Sequence, residues 1–240
     1  MSAEDLSTVP AATEDSQLCS EPVVEARNVF RTFQIGDNQI EVLKGVSLAV
    51  SPGEKLFLVG PSGAGKTSLL YTLAGLEKPN EGDVLVDGRS LYKLRRGEQA
   101  RVRNRRMGYI FQSFFLMPEL TALENVLVPA MIRAKNAKDR ARELLTRVGL
   151  SERINHLPNE LSGGEQQRVA IARSLVNDPG IIFADEPTGN LDSKTGRSVM
   201  ELLTELAEEK ERTLLVVTHD HSLAAMGDRV VTLVDGRIDS

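Results

Sequence analysis

A short stretch of the sequence combines glycines, a lysine and a threonine at a spacing that suits phosphate binding. It consists of Gly60, Pro61, Ser62, Gly63, Ala64, Gly65, Lys66 and Thr67. Glycines let successive backbone N–H groups turn toward an anion without a Cβ in the way. Lys66 can reach the outer phosphates of a nucleotide, and the Thr67 hydroxyl can ligate Mg²⁺. A glycine-rich turn with a stray lysine is the plainer alternative, but we expect a site for a nucleoside triphosphate.

Two carboxylates, Asp185 and Glu186, directly follow the apolar run 181–184. Ligands of open α/β sheets bind beyond the carboxyl ends of the strands, so both acids are expected to face the nucleotide. Phosphoryl transfer depends on positioning and on the stabilisation of charge. We therefore expect Asp185 to bind Mg²⁺ and Glu186 to orient or deprotonate the attacking water. Without the phosphate-binding loop, an ordinary acidic loop would more often be the explanation for the pair.

Gln112 and His219 also follow strand-like runs, which lie at 107–111 and 214–217. The same edge of a sheet would present both side chains. We expect Gln112 to contact Mg²⁺ or the attacking water, and His219 to reach the γ-phosphate. Either residue alone would more simply be a polar or capping group. Their shared position at strand ends favours the catalytic interpretation.

A second pair of glycines, Gly163 and Gly164, comes after Ser162 at the start of a helical pattern. Ser162 and Glu165 have the spacing of a capping box, which accounts for the start of a helix. Two glycines in a first turn cost about 1 kcal/mol each relative to alanine. A cap alone does not require them, whereas a second set of backbone donors for an anion does. The residues themselves leave both interpretations open.

The elements that must position these residues alternate between strand and helix. Alternating apolar residues at 23–33 and 40–50 predict two antiparallel strands. The runs 181–184 and 214–217 have the continuous apolar character of strands buried on both faces of a parallel sheet. Further strands are predicted at 55–59, 84–86 and 107–111, and helices at 68–74, 91–106, 121–150, 162–176 and 198–209. This order predicts an α/β fold.

The composition limits the class of protein. The 240 residues, 41% of them hydrophobic, suffice for one large domain or for a domain with an inserted lobe. A net charge of −5 argues against a protein that coats nucleic acid. Residues 1–22 are acidic and lack lysine and arginine, which predicts a disordered tail and not a secretory signal. Because the sequence predicts neither a membrane span nor a secretory signal, we expect a cytosolic chain, and Cys19, the only cysteine, can form no internal disulfide.

Together these features resemble the ATP-binding cassette (ABC) ATPases, from about Val23 to the end of the sequence. The likeness lies in the phosphate-binding loop, Gln112, the signature sequence 161–165, Asp185, Glu186, the loop 189–192 and His219. It implies one domain at 23–240 with a P-loop NTPase (RecA-like) parallel sheet core. An N-terminal antiparallel β subdomain and an inserted α-helical subdomain at about 113–165 would complete the domain. The implied cofactors are ATP and Mg²⁺, with Thr67, Gln112 and Asp185 around the metal, and the implied reaction is ATP hydrolysis.

The resemblance also implies a partner copy of the chain. ABC ATPases form head-to-tail homodimers that hold two ATP molecules between the cassettes. Ser162, Gly163 and Gly164 of one chain would then complete the site around the ATP of the other chain. Phe33 matches the position of the aromatic residue that stacks on adenine, where many relatives have tyrosine. Glu165 departs from the commoner glutamine of the signature.

Glu165 and three longer segments resemble one branch of the family. These segments are 111–114, 120–126 and 184–192. The branch contains the lipoprotein-releasing (Lol type) ATPases, which are the more similar, and the macrolide-export type. It implies a subunit peripheral to the membrane, on the cytoplasmic face of the inner membrane, that drives integral-membrane permease subunits and binds no nucleic acid. The alternative is a soluble ABC ATPase, but such relatives usually have two cassettes, a long coiled coil or zinc-binding cysteines.

The apolar segment 114–117 closely follows Gln112. Phenylalanine and methionine side chains are typical of grooves that accept a partner helix, here a short helix of a membrane subunit. The same side chains also pack in ordinary cores. The segment is therefore predicted either to line a docking groove or to belong to the core of the helical lobe.

Overall fold

The computed structural model describes residues 21–132 and 137–239. Only the last two residues of the predicted tail, 1–22, fall within these ranges. Among the described residues, no helix is both long enough and apolar enough to cross a membrane.

The described residues form ten β-strands and seven α-helices. The strands are β1 (Val24–Ile35), β2 (Asn38–Val50), β3 (Lys55–Val59), β4 (Glu81–Val86), β5 (Arg89–Ser90), β6 (Met107–Ile110), β7 (Ile181–Asp185), β8 (Thr213–Val217), β9 (Arg229–Val234) and β10 (Arg237–Asp239). The helices are α1 (Lys66–Leu73), α2 (Arg96–Arg106), α3 (Ala122–Leu127), α4 (Ala137–Arg147), α5 (Gly163–Leu175), α6 (Ser193–Glu208) and α7 (His221–Ala224). Short 3₁₀ turns lie at Val128–Ala130, Ser151–Arg153 and Pro158–Glu160.

The larger sheet has six strands in the order β10-β9-β3-β8-β7-β6. Its neighbours pair in parallel, except β9 and β10, which form an antiparallel hairpin. All residues of β7 and β8 are buried, as expected for strands covered on both faces. The predicted parallel sheet is confirmed. The β9–β10 hairpin was not predicted, although Asp235 and Gly236, both with positive φ, form a common hairpin turn between its strands.

The smaller sheet is antiparallel, with the order β2-β1-β4-β5. Its two long strands, β1 and β2, pair from Val24 opposite Val50 to Ile35 opposite Asn38. The antiparallel pair predicted from alternating apolar residues is therefore confirmed. The register between β1 and β2 shifts at three points, and such irregularities bend and twist a strand pair.

Three of the predicted helices differ clearly from those in the structure. Helix α6 begins at Ser193 instead of 198, because the Asp192 carboxylate accepts the N–H groups of Lys194 and Thr195 and starts the helix early. The helical pattern at 121–150 forms two helices, because α3 ends in a 3₁₀ turn that contains Pro129 and proline cannot continue a helical ladder. Helix α2 begins at Arg96 instead of 91, because the Leu91 N–H donates to the Val84 carbonyl and prolongs the β4–β5 hairpin.

Two hydrophobic clusters lie on opposite faces of the larger sheet. Leu56 and Leu58 of β3 belong to a cluster that includes α1 and the smaller sheet. Phe57 and Val59 belong to a cluster that includes α3, α4, α5 and α6. This division follows from the alternation of side chains along a strand. Burial on both faces fixes the carboxyl ends of β3, β6, β7 and β8, where the predicted site residues follow.

Candidate nucleotide-binding site

The loop between β3 and α1 requires glycine at two positions for different steric reasons. Gly60 has a φ of 144°, and a Cβ there would lie 2.1 Å from the Leu233 carbonyl oxygen. Gly65 has a φ of 99°, and a Cβ there would lie 2.7 Å from the Val42 carbonyl oxygen. Both contacts are to backbone atoms, which cannot move aside. The loop can therefore follow this path against β2 and β9 only with glycine at these positions.

Helix α1 begins without a side-chain cap. Its N-cap residue, Gly65, has no side-chain acceptor to which the first N–H groups of the helix could donate. The buried Lys66 ammonium group folds back over the loop and donates to the carbonyl oxygens of Gly60 and Pro61, each at 2.8 Å. A helix N-terminus with a lysine ammonium beside it attracts an anion.

Thr67 and Asp185 meet at the carboxyl end of β7. The Thr67 hydroxyl donates to Asp185 Oδ1 at 2.9 Å, and Asp185 is buried. Burial raises the pKa of Asp185, and the neighbouring Glu186 raises it further, while Tyr71, Thr67 and Lys66 act in the opposite direction. The hydroxyl and carboxylate thus form an adjacent pair of oxygen donors, the ligand type that Mg²⁺ prefers.

Tyr71 was missed by the sequence analysis, although a signal for it exists. It lies four residues after Thr67 on α1, and residues at this spacing share one face of a helix. Burial raises the pKa of the Tyr71 hydroxyl well above its usual range, and the Asp185 carboxylate adds to the effect. Tyr71 therefore faces the same carboxylate as Thr67.

Glu186 and His219 lie across from the phosphate-binding loop. Glu186 has a φ of 42°, and its N–H donates to the Val217 carbonyl at 3.0 Å. A left-handed backbone is uncommon for a residue with a Cβ and occurs mainly where the surroundings enforce it, often at functional sites. His219 Nδ1 lies 3.4 Å from Glu186 Oε2, and the His219 side chain is 69% exposed.

One cavity of about 540 Å³ joins the loop to Glu186 and His219. It is lined by Val42, Ser62, Gly63, Gly65, Lys66, Thr67, Ser68, Glu186 and His219. Residues from the ends of three neighbouring strands of the sheet therefore meet around one space. Its positive loop on one side and its carboxylate and imidazole on the other suit a polyphosphate with an attacking water.

Gln112 and Phe33 are among the predicted site residues that lie outside the lining of this cavity. The carbonyl oxygen of Gln112 accepts a hydrogen bond from Asn190 Nδ2 at 2.8 Å, and a Cβ on Gly189 would lie 2.7 Å from Gln112 Nε2. The Gln112 side chain thus packs on the loop after Glu186. Phe33 lies on β1, where the Arg31 guanidinium stands 4.3 Å from the centre of its ring. The roles of Gln112 at Mg²⁺ and of Phe33 at adenine stay predictions.

The signature residues at the start of α5 also lie outside the cavity of their own chain. Ser162 Oγ accepts the Glu165 N–H at 3.3 Å, and the Glu165 carboxylate accepts the Ser162 N–H at 2.8 Å, which completes a capping box. A Cβ on Gly164 would lie 2.6 Å from Thr195 Cγ2 on α6. Packing against α6 is therefore one reason for glycine at this position, beside the anion-binding reason expected from the sequence.

Comparison with known proteins identifies the family. A family model described as ABC transporter matches residues 43–189. The chain belongs to the ABC transporter family. It is an ATP-binding subunit of the ABC type, and we refer to it below as the cassette.

The cassette is similar to the lipoprotein-releasing system ATP-binding protein LolD of Syntrophotalea carbinolica. The two are 52% identical over 220 residues, which cover 90% of this chain and 96% of the relative. LolD of Shewanella frigidimarina is 46% identical and is matched over 89% of this chain and 91% of its own length. The macrolide export ATP-binding/permease protein MacB of Syntrophobacter fumaroxidans is 43% identical over 90% of this chain, but only 31% of its own length is matched.

Solved structures of ABC cassettes share the fold. One is a dimeric ATP-binding cassette in a post-hydrolysis state bound to ADP and Pi, with a TM-score of 0.84 and 44% identity over 90% of this chain and 97% of that one. Another is a cassette from Clostridium perfringens that is part of an ABC transporter complex, with a TM-score of 0.81 and 26% identity over 92% and 88% of the two chains. The predicted P-loop fold class and family resemblance are confirmed.

Proposed function

We propose that the cassette binds Mg-ATP in the cavity above α1, hydrolyses it between two copies of the chain, and drives integral-membrane permease subunits at the cytoplasmic face of the inner membrane. One observation carries this proposal. The phosphate-binding loop, Glu186 and His219 line a single cavity, with Asp185 held against Thr67 beside it. These are the groups that phosphoryl transfer needs, and they come from separate parts of the chain.

Each group has a distinct task in the proposed reaction. The loop N–H groups and Lys66 hold the phosphates, and Thr67 and Asp185, with Gln112 joining them, would hold Mg²⁺. The metal supplies positive charge that neutralises the phosphate oxygens. Glu186 orients the attacking water or takes its proton, because its carboxylate borders the cavity opposite the loop. His219 contacts the γ-phosphate and, from 3.4 Å, also holds Glu186 in place.

A second copy of the cassette completes the site. Ser162, Gly163 and Gly164 lie outside the nucleotide cavity of their own chain, so a contribution from them must come in trans. The dimeric cassette structures, which are 44% identical to this chain, support such an arrangement. Phe33 would stack on the adenine, since an aromatic ring is sufficient for that contact.

A groove next to α2 is where we propose that a short helix of the membrane subunit docks. It encloses about 460 Å³, and its apolar lining includes Met107, Tyr109, Phe115 and Ile132. The Phe115 side chain is 63% exposed and that of Ile132 84% exposed. Exposed large apolar side chains around a concavity favour a partner over solvent. Within the segment 114–117, Leu116 instead packs against the core, as the alternative interpretation of the segment predicts.

For the cargo, we propose release of lipoproteins. The LolD relatives are 46–52% identical to the cassette, compared with 43% for the MacB relative. Macrolide export is the second candidate, since that relative matches nearly the same part of the chain.

Reconstitution tests this function. The tagged chain is purified from detergent-solubilised membranes of its own host, and the co-purified membrane subunits are placed with it in liposomes that contain a lipoprotein. We expect ATP-dependent release of the lipoprotein. Stimulation of ATP hydrolysis by a macrolide without release would favour the second candidate. Co-purification of ribosomes or DNA in place of membrane subunits would contradict both.

A matched pair of variants tests the groove. Phe115→Glu places a charge in the groove and should abolish co-purification of the membrane subunits. Val230→Glu alters a comparably apolar surface side chain, 47% exposed on β9, and should retain them. Retention by both variants would place the docking surface elsewhere.

A further inference from the structure

Shortly after Gln112, the backbone passes through two consecutive residues with left-handed torsion angles. Phe114 has a φ of 58° and Phe115 a φ of 46°. Bulky residues with a Cβ rarely adopt this conformation, and they keep it only where neighbouring groups hold them. The 114–115 turn is therefore strained and needs support from elsewhere in the fold.

Arg173 of α5 supplies that support. Its two terminal nitrogens donate separately to the carbonyl oxygens of Phe114 and Phe115, each at 2.5 Å. Burial lowers the pKa of Arg173, and no acidic residue contributes to that shift. The Arg173 guanidinium thus donates to two backbone carbonyls of one turn. Its planar shape, with two terminal nitrogens, suits two such acceptors at once.

Asn125 fixes the chain just beyond the turn. Its buried side chain accepts the Met117 N–H at 2.8 Å and donates to the Leu120 carbonyl at 2.9 Å and to the Met117 carbonyl at 3.1 Å. The segment after the turn is therefore tied to α3. Arg173 thus holds the turn itself, and Asn125 holds the chain just beyond it.

The two rings of the turn face different parts of the molecule. The Phe115 ring lines the groove and lies edge-on against Phe111, with centroids 5.2 Å apart. The Phe114 ring reaches the other way, so that a Cβ on Gly163 would lie 3.9 Å from Phe114 Cζ. Gly163 and Arg173 belong to the same helix, α5. The turn thus borders the groove on one side, and on the other it is bound by Arg173 and places the Phe114 ring near the start of α5.

We propose that Arg173 is a positioning residue that couples the groove to the signature end of α5 by holding the 114–115 turn. This inference rests on the proposed function, because it assigns a mechanism to the docking groove and to the dimeric nucleotide site. Closure of the dimer on Mg-ATP moves the start of α5, the Phe114 ring follows Gly163, and Arg173 makes the two residues of the turn move as one. The environment of the Phe115 ring in the groove changes as a result.

A single fluorophore can report this movement in the protein without its membrane partner. The chain contains no tryptophan, so Phe115→Trp introduces a unique emission signal at the groove. The parent protein combines Phe115→Trp with Glu186→Gln, so that bound Mg-ATP is retained. We expect saturating Mg-ATP to change its tryptophan emission. Adding Arg173→Lys should reduce the change about fivefold or more, because an ammonium group cannot hold both carbonyls in the same geometry.

These measurements separate the positioning role of Arg173 from any effect of its substitution on the stability of the fold. The emission change is compared at saturating nucleotide, with Mg-ATP binding measured by calorimetry and folding by circular dichroism in each variant. Arg142→Gln on α4 removes an exposed arginine, 51% accessible, and should leave the change intact. Arg173→Gln is expected to behave like Arg173→Lys, and the lysine variant decides the matter if the glutamine variant does not fold.

The outcomes distinguish this inference from the function on which it rests. A parent protein that binds Mg-ATP and dimerises, but shows no emission change, overturns the inference alone. So does a full emission change in Arg173→Lys. A parent that neither binds Mg-ATP nor dimerises contradicts the proposed function, and the inference falls with it.

Discussion

Glycines lie at the starts of both α1 and α5, but the first turns of these two helices are built differently. Helix α1 has Gly65 at its N-cap and no side-chain acceptor, and Lys66 stands beside its end. Helix α5 has Ser162 at its N-cap: the Ser162 hydroxyl accepts the Glu165 N–H, and the Glu165 carboxylate accepts the Ser162 N–H. The N-cap of α1 thus provides no side-chain acceptor, whereas the first turn of α5 is capped by side chains of its own chain. The proposed function assigns the start of α1 to nucleotide bound by the same chain and the start of α5 to nucleotide bound by a second chain.

The glycines at the two helix starts, Gly65 and Gly163, also differ in the space that surrounds them. A Cβ at Gly65 would meet backbone, the Val42 carbonyl oxygen at 2.7 Å, which fixes the path of the phosphate-binding loop. A Cβ at Gly163 would come no closer than 3.3 Å to another atom, the Leu191 Cδ2. Glycine at 163 is thus not explained by a severe clash within the chain. A close approach by the nucleotide of a second chain would explain it.

The largest expected effect is on the rate of ATP hydrolysis by the proposed dimer, in which the start of α1 of one chain and the start of α5 of the other share a nucleotide. Glu186→Gln keeps the shape of the side chain but removes its charge. We expect ATP hydrolysis to fall about 1000-fold, because a general base commonly contributes two to four orders of magnitude. Bound Mg-ATP and the closed dimer should persist, as seen by gel filtration with nucleotide. Near-normal steady-state hydrolysis by this variant would refute the role of Glu186.

The next effect concerns the start of α1 alone. Lys66→Ala removes the ammonium group beside the loop, and loss of a charge-assisted hydrogen bond to a phosphate should weaken Mg-ATP binding about 100-fold. Isothermal calorimetry measures the affinity. Lys138→Ala, which removes an exposed lysine on α4, serves as the matched control and should bind normally. Equal affinity in both variants would disprove the assigned site.

A change at the start of α5 should lower the stability of the fold but should not alter the affinity of the single chain for nucleotide. Ser162→Ala removes the cap acceptor, and we expect the free energy of unfolding to fall by about 1 kcal/mol. Denaturant unfolding measures this change, and calorimetry on dilute protein should find unaltered Mg-ATP binding. A large loss of affinity in the dilute single chain would mean that α5 contributes to its own site, against the comparison.

The smallest effect is a dependence on pH. Hydrogen bonds from Ser162 lower the pKa of Glu165 below its usual 4.5 in the folded chain, with Arg153 adding to the effect. Since the folded pKa is the lower one, this carboxylate stabilises the fold above about pH 4.5, and its contribution is lost as the pH falls below that. Glu165→Gln should therefore be less stable than the parent at neutral pH, and the difference should shrink in acid. A difference that stays constant from pH 7 to pH 3 would exclude the carboxylate as its source.

Sequence reasoning succeeded where the information is local. The phosphate-binding loop is one contiguous stretch, and the runs that end at Asp185 and at Val217 carry enough apolar residues to predict buried strands. The register of β7 and β8 then places Asp185 opposite Val217, so that Glu186 and the residues after β8 share one edge. Position at the ends of parallel strands was sufficient to bring these groups together.

Sequence reasoning failed where a contact joins distant parts of the chain. Nothing local indicates that Arg173 donates to Phe114 and Phe115, or that these two phenylalanines have positive φ. The early start of α6 depends on one capping carboxylate, that of Asp192. The β9–β10 hairpin depends on the turn at Asp235 and Gly236, a local signal that the prediction did not use. Tyr71 could have been predicted, because its spacing from Thr67 places both residues on one face of α1.

Complementation between two inactive variants tests the central claim most directly. Lys66→Ala damages the start of α1, and Ser162→Arg places a bulky cation at the start of α5, so neither protein alone should hydrolyse ATP. A mixed dimer contains one site with an intact Lys66 from one chain and an intact Ser162 from the other. We predict that mixing the two proteins restores ATP hydrolysis. If the mixture stays inactive while both variants are folded and form mixed dimers, the two helix starts do not share a nucleotide, and the account is wrong.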